Sequence, residues 1–364
     1  MLKEIKKVFV GMSGGVDSSV TAALLVKQGL AVTGVFIKAW EPPTLANQPS
    51  VCTWRDDRRD AMRVAAILNI PFITIDLTKE YKKEVVDYMI AEYQSGRTPN
   101  PDVVCNQSIK FGAFYDQAIT LGADYVATGH YARSVFNKNL NEYVLKKGID
   151  FEKDQSYFLW NLTSDKLSRV LFPVGNYHKD QVRNLARKFK LPTAVKKDSQ
   201  GLCFIGQLDI VDFLKNNIPT KAGAVVNLAG EVIGKHQGVF FSTLGQRHGF
   251  IINKKKPNDG PYYVVAKDIV NNVLVVAQKQ QIETKLEIKK IKLTKVNWIN
   301  NRKPQPAKVY QAQLHYHGPL ENCQIELIDN VWSANFNQAL KIIPPGQSLV
   351  VYDNDICLGG GIIA

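Results

Sequence analysis

The sequence lacks the long apolar run that a membrane span requires. No uninterrupted hydrophobic stretch approaches the roughly 18 residues of a spanning helix, although 45% of the 364 residues are hydrophobic. Segment 1–7 is too charged to open a secretory signal peptide, and the apolar stretch 8–12 is too short for its core. We therefore expect a soluble, cytoplasmic protein that does not bind membranes, with about two or three domains.

Closely spaced cysteines are also missing. The five cysteines lie far apart, and no C-x-x-C pair occurs. This spacing argues against a structural zinc site, and an odd number argues against a disulfide scaffold. We predict no protein-held metal site, and we expect Cys357, which lies in an apolar run, to be a buried packing residue.

Acidic residues are too few to balance the basic ones. Forty-six Lys and Arg against 33 Asp and Glu give a net charge of +13. A basic excess of this size favours a polyanionic partner such as nucleic acid, without proving one. Nine basic residues and one acid lie between positions 166 and 197, and we expect several of them to form a positive surface stripe: Lys166, Arg169, Lys179, Arg183, Arg187, Lys188, Lys190, Lys196 and Lys197.

The first 130 residues alternate between strand and helix patterns. Strands are predicted at 8–12, 30–37, 72–75 and 125–128, and helices at 18–28, 55–68, 79–93 and 106–121. Such alternation predicts a doubly wound parallel α/β sheet, whose site lies beyond the carboxyl ends of the strands. Short β-rich segments follow, at 224–227, 239–243, 262–266 and 273–277. We predict a catalytic domain at 1–205, a small β-rich central domain at 206–289 and a C-terminal β-barrel at 290–364.

A glycine-rich loop joins the first strand to the first helix. Two glycines allow close approach of the backbone to an anion, and the helix N-terminus supplies N–H donors. A carboxylate in such a loop would repel phosphate, which suggests Mg²⁺ nearby. No Walker A lysine follows, and a simple turn with Asp17 or Ser18 as helix cap is the alternative. The predicted phosphate-binding residues are Gly11, Met12, Ser13, Gly14, Gly15, Val16, Asp17 and Ser18.

Two cysteines lie in loops of distinctive sequence. Cys105 follows the extended segment 98–104, where we expect a helix to begin, and a helix N-terminus would lower the pKa of its thiol. Cys203 lies in a glycine-bounded loop just after Lys196 and Lys197, whose charges would favour its thiolate. Without their contexts, both cysteines would be read as packing residues.

The loop Ser13-Gly-Gly-Val-Asp-Ser18 resembles the pyrophosphate loop of the N-type ATP pyrophosphatases, which transfer AMP to an oxygen. Over essentially its whole length the chain resembles one family of that superfamily, the tRNA-specific 2-thiouridylases. The segments that carry the resemblance are 11–18, 100–106, 129–131, 153–157, 198–205 and Gly245-Gln-Arg-His-Gly249.

The resemblance implies ATP-dependent 2-thiolation of the wobble uridine of tRNA. ATP, with Mg²⁺, adenylates the C2 oxygen, and sulfur carried as a persulfide on Cys203 then replaces AMP. Cys105 acts as nucleophile, either by forming a disulfide with Cys203 that releases hydrosulfide or by helping to expel AMP. The two Cα atoms must then approach within about 4.4–6.8 Å. The implied partners are tRNA and a sulfur-donor protein, and the expected state is a monomer.

The resemblance also assigns individual residues. It places Ile37 and Gly129 at the adenosine, and His130 beside the active site. The remaining assignments are Asn100, Pro101 and Asp102 at the target base, Lys153, Asp154 and Gln155 at the tRNA, and His315, Tyr316 and Gln347 at the anticodon stem. Two alternatives stay open: an amidating synthetase of the same superfamily, and a non-catalytic tRNA-binding protein.

Overall fold

A computed structural model describes residues 5–42, 53–197, 210–254, 259–285 and 287–364. The strands are β1 Lys7–Gly11, β2 Ala31–Lys38, β3 Phe72–Asp76, β4 Tyr125–Ala127, β5 Ala132–Asn137, β6 Glu142–Lys147, β7 Val170–Leu171, β8 Gly223–Val226, β9 Val232–His236, β10 Phe250–Ile252, β11 Tyr262–Asp268, β12 Val273–Gln278, β13 Ile288–Trp298, β14 Val309–Gln313, β15 Leu320–Ile328, β16 Val331–Leu340, β17 Ser348–Asp353 and β18 Ile356–Ile363.

The helices vary more in length and geometry. They are α1 Val16–Lys27, α2 Thr53–Ile67, α3 (78–94, as Thr78–Tyr81, Lys82–Asp87 and Tyr88–Gln94), α4 (101–120, as Pro101–Val104, Cys105–Ala113 and Phe114–Thr120), α5 Ser164–Leu167, α6 Lys179–Lys188, α7 Ile210–Asn217 and α8 Lys279–Lys285. The middle segments of α3 and α4 have wide π-type turns. Short 3₁₀ turns cover Ser156–Leu159, Pro173–Asn176, Pro192–Val195, Val239–Phe241 and Ile299–Asn301.

The first sheet confirms the predicted doubly wound α/β architecture. Its strand order is β3-β2-β1-β4-β7, and every pairing is parallel. β1 lies in the middle, where Val8 and Val10 are fully buried between the helical layers. The chain winds from β1 toward β3 on one side and then crosses to β4 on the other. The crevice beyond the carboxyl ends of β1 and β4 is therefore the expected ligand site.

Two predicted elements differ in the structure. α4 begins at Pro101 rather than at residue 106, because Asn100 caps it: the Asn100 side chain accepts a hydrogen bond from the Val103 N–H at 3.3 Å. The predicted strand 239–243 is instead the 3₁₀ turn Val239–Phe241. Here the chain crosses between two cores. Val239 packs in the central domain and Phe241 against the α/β core, so no neighbouring strand lies alongside.

The β-rich remainder forms two further sheets, as predicted. The central sheet has the order β10-β9-β8-β12-β11. β13, β16, β15, β14, β17 and β18 form a C-terminal barrel, which closes through pairing of β13 with β18. The hairpin β5–β6, which comes from the catalytic part of the chain, extends this barrel sheet by pairing with β18. In the described ranges, no helix is long and apolar enough to cross a membrane.

Candidate active site

The glycine-rich loop leaves the carboxyl end of β1 and enters α1. Gly14 has φ +76°, and a Cβ there would lie 2.3 Å from the Asp57 carbonyl oxygen, so only glycine fits against α2. Gly15 is the N-cap of α1, and no described side chain caps that end. The first-turn N–H groups of a helix have no intrahelical acceptor. An anion placed over the loop can therefore accept hydrogen bonds from them.

Two serine hydroxyls complete this cradle. The Ser13 and Ser18 Oγ atoms lie 3.3 Å apart, and the Ser13 N–H donates to Ser18 Oγ at 3.2 Å. Ser18 Oγ in turn donates to the Gly15 carbonyl at 3.2 Å. Ser13 is exposed, whereas Ser18 is buried. The loop thus holds its shape through its own hydrogen bonds and presents one hydroxyl outward, as phosphate binding requires.

Asp17 is neutralised by groups that the sequence did not identify as part of the loop. The Lys179 ammonium, at the start of α6, lies 2.8 Å from both Asp17 carboxylate oxygens. The Tyr131 hydroxyl donates to Asp17 Oδ1 at 2.8 Å. Lys179 had been counted only as one of many basic residues, and no local sequence signal links it to a loop 162 positions away. The Asp17 carboxylate is therefore paired with a positive charge that the protein itself supplies.

The two residues predicted to contact adenosine lie at the same edge of the sheet as the phosphate loop. Gly129 follows β4 and lies against the start of α1, where an added Cβ would be 2.7 Å from the Ser18 backbone nitrogen. Ile37 lies near the carboxyl end of β2 and is half-buried. Both residues thus occupy the same edge of the sheet as the phosphate loop, which is compatible with a nucleotide extending from it.

His130 lies beneath the crevice rather than on the surface. Its Nε2 accepts from the Lys110 ammonium at 3.3 Å, so the proton is on Nδ1, which donates to Thr128 Oγ1 at 2.7 Å. Burial, and then the charge of Lys110, hold the pKa of His130 well below its ordinary value. The ring is therefore neutral and packs edge-on against Phe172. The His130 side chain is only 7% exposed. It therefore packs beneath the residues that line the crevice.

Cys105 lies in the second turn of α4, because that helix begins at Pro101. The expected location at a helix N-terminus is therefore wrong. Cys105 begins the π-type stretch of α4 and is 2% exposed, packed within the α/β core. Cys203, and the whole segment 198–205, lie outside the described residues.

Two other cysteines are buried and unreactive. Burial raises the pKa values of Cys323 and Cys357 to about 12, so both remain protonated thiols at neutral pH. Cys357 is 1% exposed, which confirms it as a packing residue. Lys196, expected to favour the Cys203 thiolate, lies 2.7 Å from both Asp57 Oδ1 and Asp60 Oδ2. Its charge is already balanced by α2.

The segment that precedes Cys105 is held by all three domains. Thr98 N–H donates to the Pro345 carbonyl of the barrel at 2.8 Å, and Thr98 Oγ1 donates to Thr243 Oγ1 of the central domain at 3.2 Å. Pro101 is buried, while Asn100 and Asp102 are half-buried. This junction therefore fixes the segment 98–105, here called the target-base segment because its residues 100–102 are predicted to meet the target base.

Two of the three predicted tRNA-contact residues at 153–155 accept hydrogen bonds from within the protein. The Asp154 carboxylate accepts from the Gly148 and Ser156 N–H groups at 2.9 and 3.1 Å. Gln155 Oε1 accepts from the Tyr131 N–H at 3.1 Å. These two side chains therefore shape the turn that contains Lys153.

Tyr316 reaches from the barrel to the catalytic domain. Its ring lies 4.4 Å from that of Phe158. Burial first, and then nearby carboxylates including Asp154 and Asp102, raise the pKa of Tyr316 to about 12. His315, next to it, is exposed. Both residues therefore lie near the target-base segment, Tyr316 in the domain contact and His315 on the surface.

Gln347, predicted to contact tRNA, lies against the target-base segment within the protein. Its Nε2 donates to the Thr98 carbonyl at 2.8 Å and lies 3.4 Å from the Pro99 carbonyl. We expect Gln347→Ala to lower kcat for thiolation several-fold with an unchanged KM for ATP, because losing a hydrogen bond costs about 1 kcal/mol. Steady-state kinetics check this. A raised KM for tRNA at unchanged kcat would instead identify a direct tRNA contact.

The predicted positive stripe at 166–197 is smaller than expected. Five of its basic side chains donate inward: Lys166, Arg169, Lys179, Arg183 and Lys196. Arg187, Lys188, Lys190 and Lys197 remain exposed. Counting charges along the sequence overestimated the positive surface charge. It ignored the carbonyl and carboxylate groups that the fold brings next to these five basic side chains.

A doubly wound α/β domain with a phosphate loop at its switch point, joined to two β domains, defines a class of nucleotide-binding enzyme. Three family models match this chain: a tRNA methyl transferase HUP domain over residues 6–207, a tRNA methyl transferase PRC-barrel domain over 211–278 and an aminomethyltransferase beta-barrel domain over 288–363. The tRNA-specific 2-thiouridylase MnmA of Geobacillus thermodenitrificans is 44% identical over 98% of this chain and 94% of its own length. That of Pseudomonas putida is 43% identical over the same shares. The chain belongs to the tRNA-specific 2-thiouridylase family.

Solved structures resemble the chain only loosely. A 4-thiouridine synthetase solved with RNA and bound ATP is 18% identical, covering 59% of this chain and 50% of its own, with a TM-score of 0.32. An NMN synthetase from Francisella tularensis is 22% identical, covering 53% of this chain and 66% of its own, also at 0.32. Similarities at this level carry no functional conclusion.

Proposed function

We propose that this protein is an ATP-dependent tRNA-uridine 2-sulfurtransferase that thiolates the wobble uridine. The observation that carries the proposal is a phosphate cradle at the switch point of the sheet, in a chain whose segment 98–105 is held by three domains. In this proposal, residues 1–205 form the catalytic domain, 206–289 the central domain and 290–364 the barrel. The protein acts as a cytoplasmic monomer.

ATP is the energy source in this scheme. The phosphates bind over Gly14, Gly15 and the first turn of α1, and adenine lies toward Ile37 and Gly129. The C2 oxygen of uridine attacks the α phosphorus, and the bond to pyrophosphate breaks. Magnesium enters with ATP, held mainly by phosphate oxygens and water. Among the described residues, no cluster of three His, Cys, Asp or Glu side chains could hold a metal ion by itself.

Sulfur transfer follows adenylation. A sulfur-donor protein leaves a persulfide on Cys203. The Cys105 thiolate attacks the inner sulfur, a Cys105–Cys203 disulfide forms, and hydrosulfide is released. Hydrosulfide adds to C2, and AMP departs with the oxygen. The disulfide must be reduced by two electrons from a dithiol before the next turnover.

The substrate contacts of this scheme come from three regions. Asn100, Pro101 and Asp102 receive the target base, Lys153 meets the RNA backbone, and His315 at the barrel edge meets the anticodon stem. The alternatives of an amidating synthetase and of a non-catalytic tRNA-binding protein remain outcomes of the test.

The purified protein, incubated with ATP, Mg²⁺, inorganic sulfide and unmodified tRNA, is expected to produce 2-thiouridine and pyrophosphate together. Mass spectrometry of nucleosides from the digested tRNA measures the first product, and a coupled assay measures the second. Pyrophosphate release that needs a small metabolite instead of tRNA would favour a synthetase. Tight tRNA binding without ATP binding would favour a non-catalytic protein.

A further inference from the structure

One motif of the central domain has no role in the scheme above. It is the segment 245–249, here called the Gln246 turn. Gly245 and Gly249 both have φ +87°, which lets the chain reverse direction twice within a few residues. The Gln246 side chain closes the turn: its Oε1 accepts from the Thr243 N–H at 3.0 Å, and its Nε2 donates to the His248 carbonyl at 2.7 Å.

The Gln246 turn is also fixed to the central sheet. The Gly245 N–H donates to the Val264 carbonyl at 2.8 Å, and the Val264 N–H donates back to the Gln246 carbonyl at 2.9 Å. Val264 lies in β11 and is fully buried. The turn is therefore held on two sides, by its own amide side chain and by a core strand, and the orientation of its outer residues is determined.

Those outer residues are Arg247 and His248, and both are exposed. Arg247 forms no hydrogen bond or ion pair with any residue in the described ranges. An ordinary turn needs no arginine at its tip, and a guanidinium suits the oxygens of a phosphate. A rigid turn that presents an unneutralised guanidinium, in a chain of net charge +13, fits a phosphate ligand.

The position of the Gln246 turn indicates which phosphate of an RNA ligand it would meet. Thr243, at the base of the turn, bonds to Thr98, which leads directly into the target-base segment. On the barrel side, a Cβ at Gly245 would lie 3.6 Å from the Ile342 side chain. The turn thus lies where the central domain, the barrel and the target-base segment meet. RNA whose base enters this segment must pass its backbone close to the turn.

We propose that Arg247, with His248 beside it, binds a backbone phosphate of the tRNA adjacent to the target nucleotide. This inference rests on the proposed function. It assigns the Gln246 turn to substrate positioning: the turn contributes binding energy and orientation and takes no part in bond making.

The test is tRNA binding by Arg247→Gln, measured by filter binding at several salt concentrations. We expect Kd to rise about five- to tenfold at low salt. The slope of log Kd against log salt should fall by about 0.7–0.9, the value for one lost phosphate contact. KM for ATP is expected to stay unchanged. Gln246→Ala, which keeps the arginine but opens the turn, is expected to weaken binding partially. Lys235→Gln, an equal charge loss at another exposed position of the central sheet, is the matched control and should leave Kd unchanged.

The outcomes separate this inference from the proposed function. If the wild-type protein binds and thiolates tRNA while Arg247→Gln keeps the same Kd and slope, the inference is wrong and the function stands. If the wild type does not bind tRNA, the function itself fails. A variant that is impaired only with a protein sulfur donor, and is normal with inorganic sulfide, would place the donor on the turn and overturn the phosphate assignment.

Discussion

Cys105→Ser is expected to lower thiolation by roughly a thousandfold or more when a donor protein supplies the sulfur as a persulfide, while ATP-dependent adenylation of tRNA continues. The reason is chemical: an alcohol does not ionise near neutral pH, so it cannot attack a persulfide as a thiolate does. Adenylation depends on the phosphate loop and the target-base segment, which the substitution leaves in place. Nucleoside mass spectrometry measures the lost product, and pyrophosphate release measures the retained step.

Matched controls are needed because Cys105 is 2% exposed, and the substitution places a more polar hydroxyl in the core. Cys323→Ser makes the same change at a fully buried cysteine of the barrel and is expected to retain thiolation. Cys203→Ser, which tests the persulfide carrier, is expected to lose thiolation and keep adenylation. Normal 2-thiouridine formation by Cys105→Ser with the donor protein as the sulfur source would refute its role, whereas added inorganic sulfide is expected to bypass it. If the variant lost both its adenylation activity and its thermal stability, the result would show only that the core had failed to fold.

The sequence predicted the α/β fold well because its signals are local. The run Val-Phe-Val at 8–10, followed by glycines and an apolar helix face, predicts strand, turn and helix without reference to distant residues. The phosphate loop could be predicted for the same reason. The strand predicted at 239–243 failed because its apolar residues serve two different cores, and local hydrophobicity cannot show which core a side chain enters.

The site was less predictable where it depends on contacts between distant segments. Gln347 and Thr98 meet across 249 positions, and their contact depends on how the barrel docks. Neither side chain carries a distinctive local pattern. His130 was predicted beside the active site, yet its neutral, buried state follows from Lys110 and Thr128, which only the fold brings to its two nitrogens. The resemblance identified Gln347 and His130, and the structure supplies the contacts that their side chains make.

Lys179→Met is expected to raise KM for ATP by roughly 10- to 100-fold, which corresponds to about 1.4–2.8 kcal/mol of lost binding energy. In the wild type, the Lys179 ammonium balances Asp17 within the phosphate loop. Without it, the Asp17 carboxylate would repel incoming phosphates at short range. The pair is partly screened by water, since the Asp17 side chain is 30% exposed, so the loss is smaller than for a fully buried pair. Pyrophosphate release as a function of ATP concentration measures the change.

Three further variants separate this electrostatic role from simple packing. Lys179→Arg keeps the charge and is expected to retain most ATP binding, whereas Tyr131→Phe removes one hydrogen bond to Asp17 and should cost only about 1 kcal/mol. Lys308→Met breaks a Lys–Asp pair of similar length in the barrel, 2.7 Å against 2.8 Å, and is expected to leave KM for ATP unchanged. If Lys179→Met bound ATP normally, Asp17 would have to be balanced in another way, and magnesium carried by the nucleotide would become the main counter-charge of the loop.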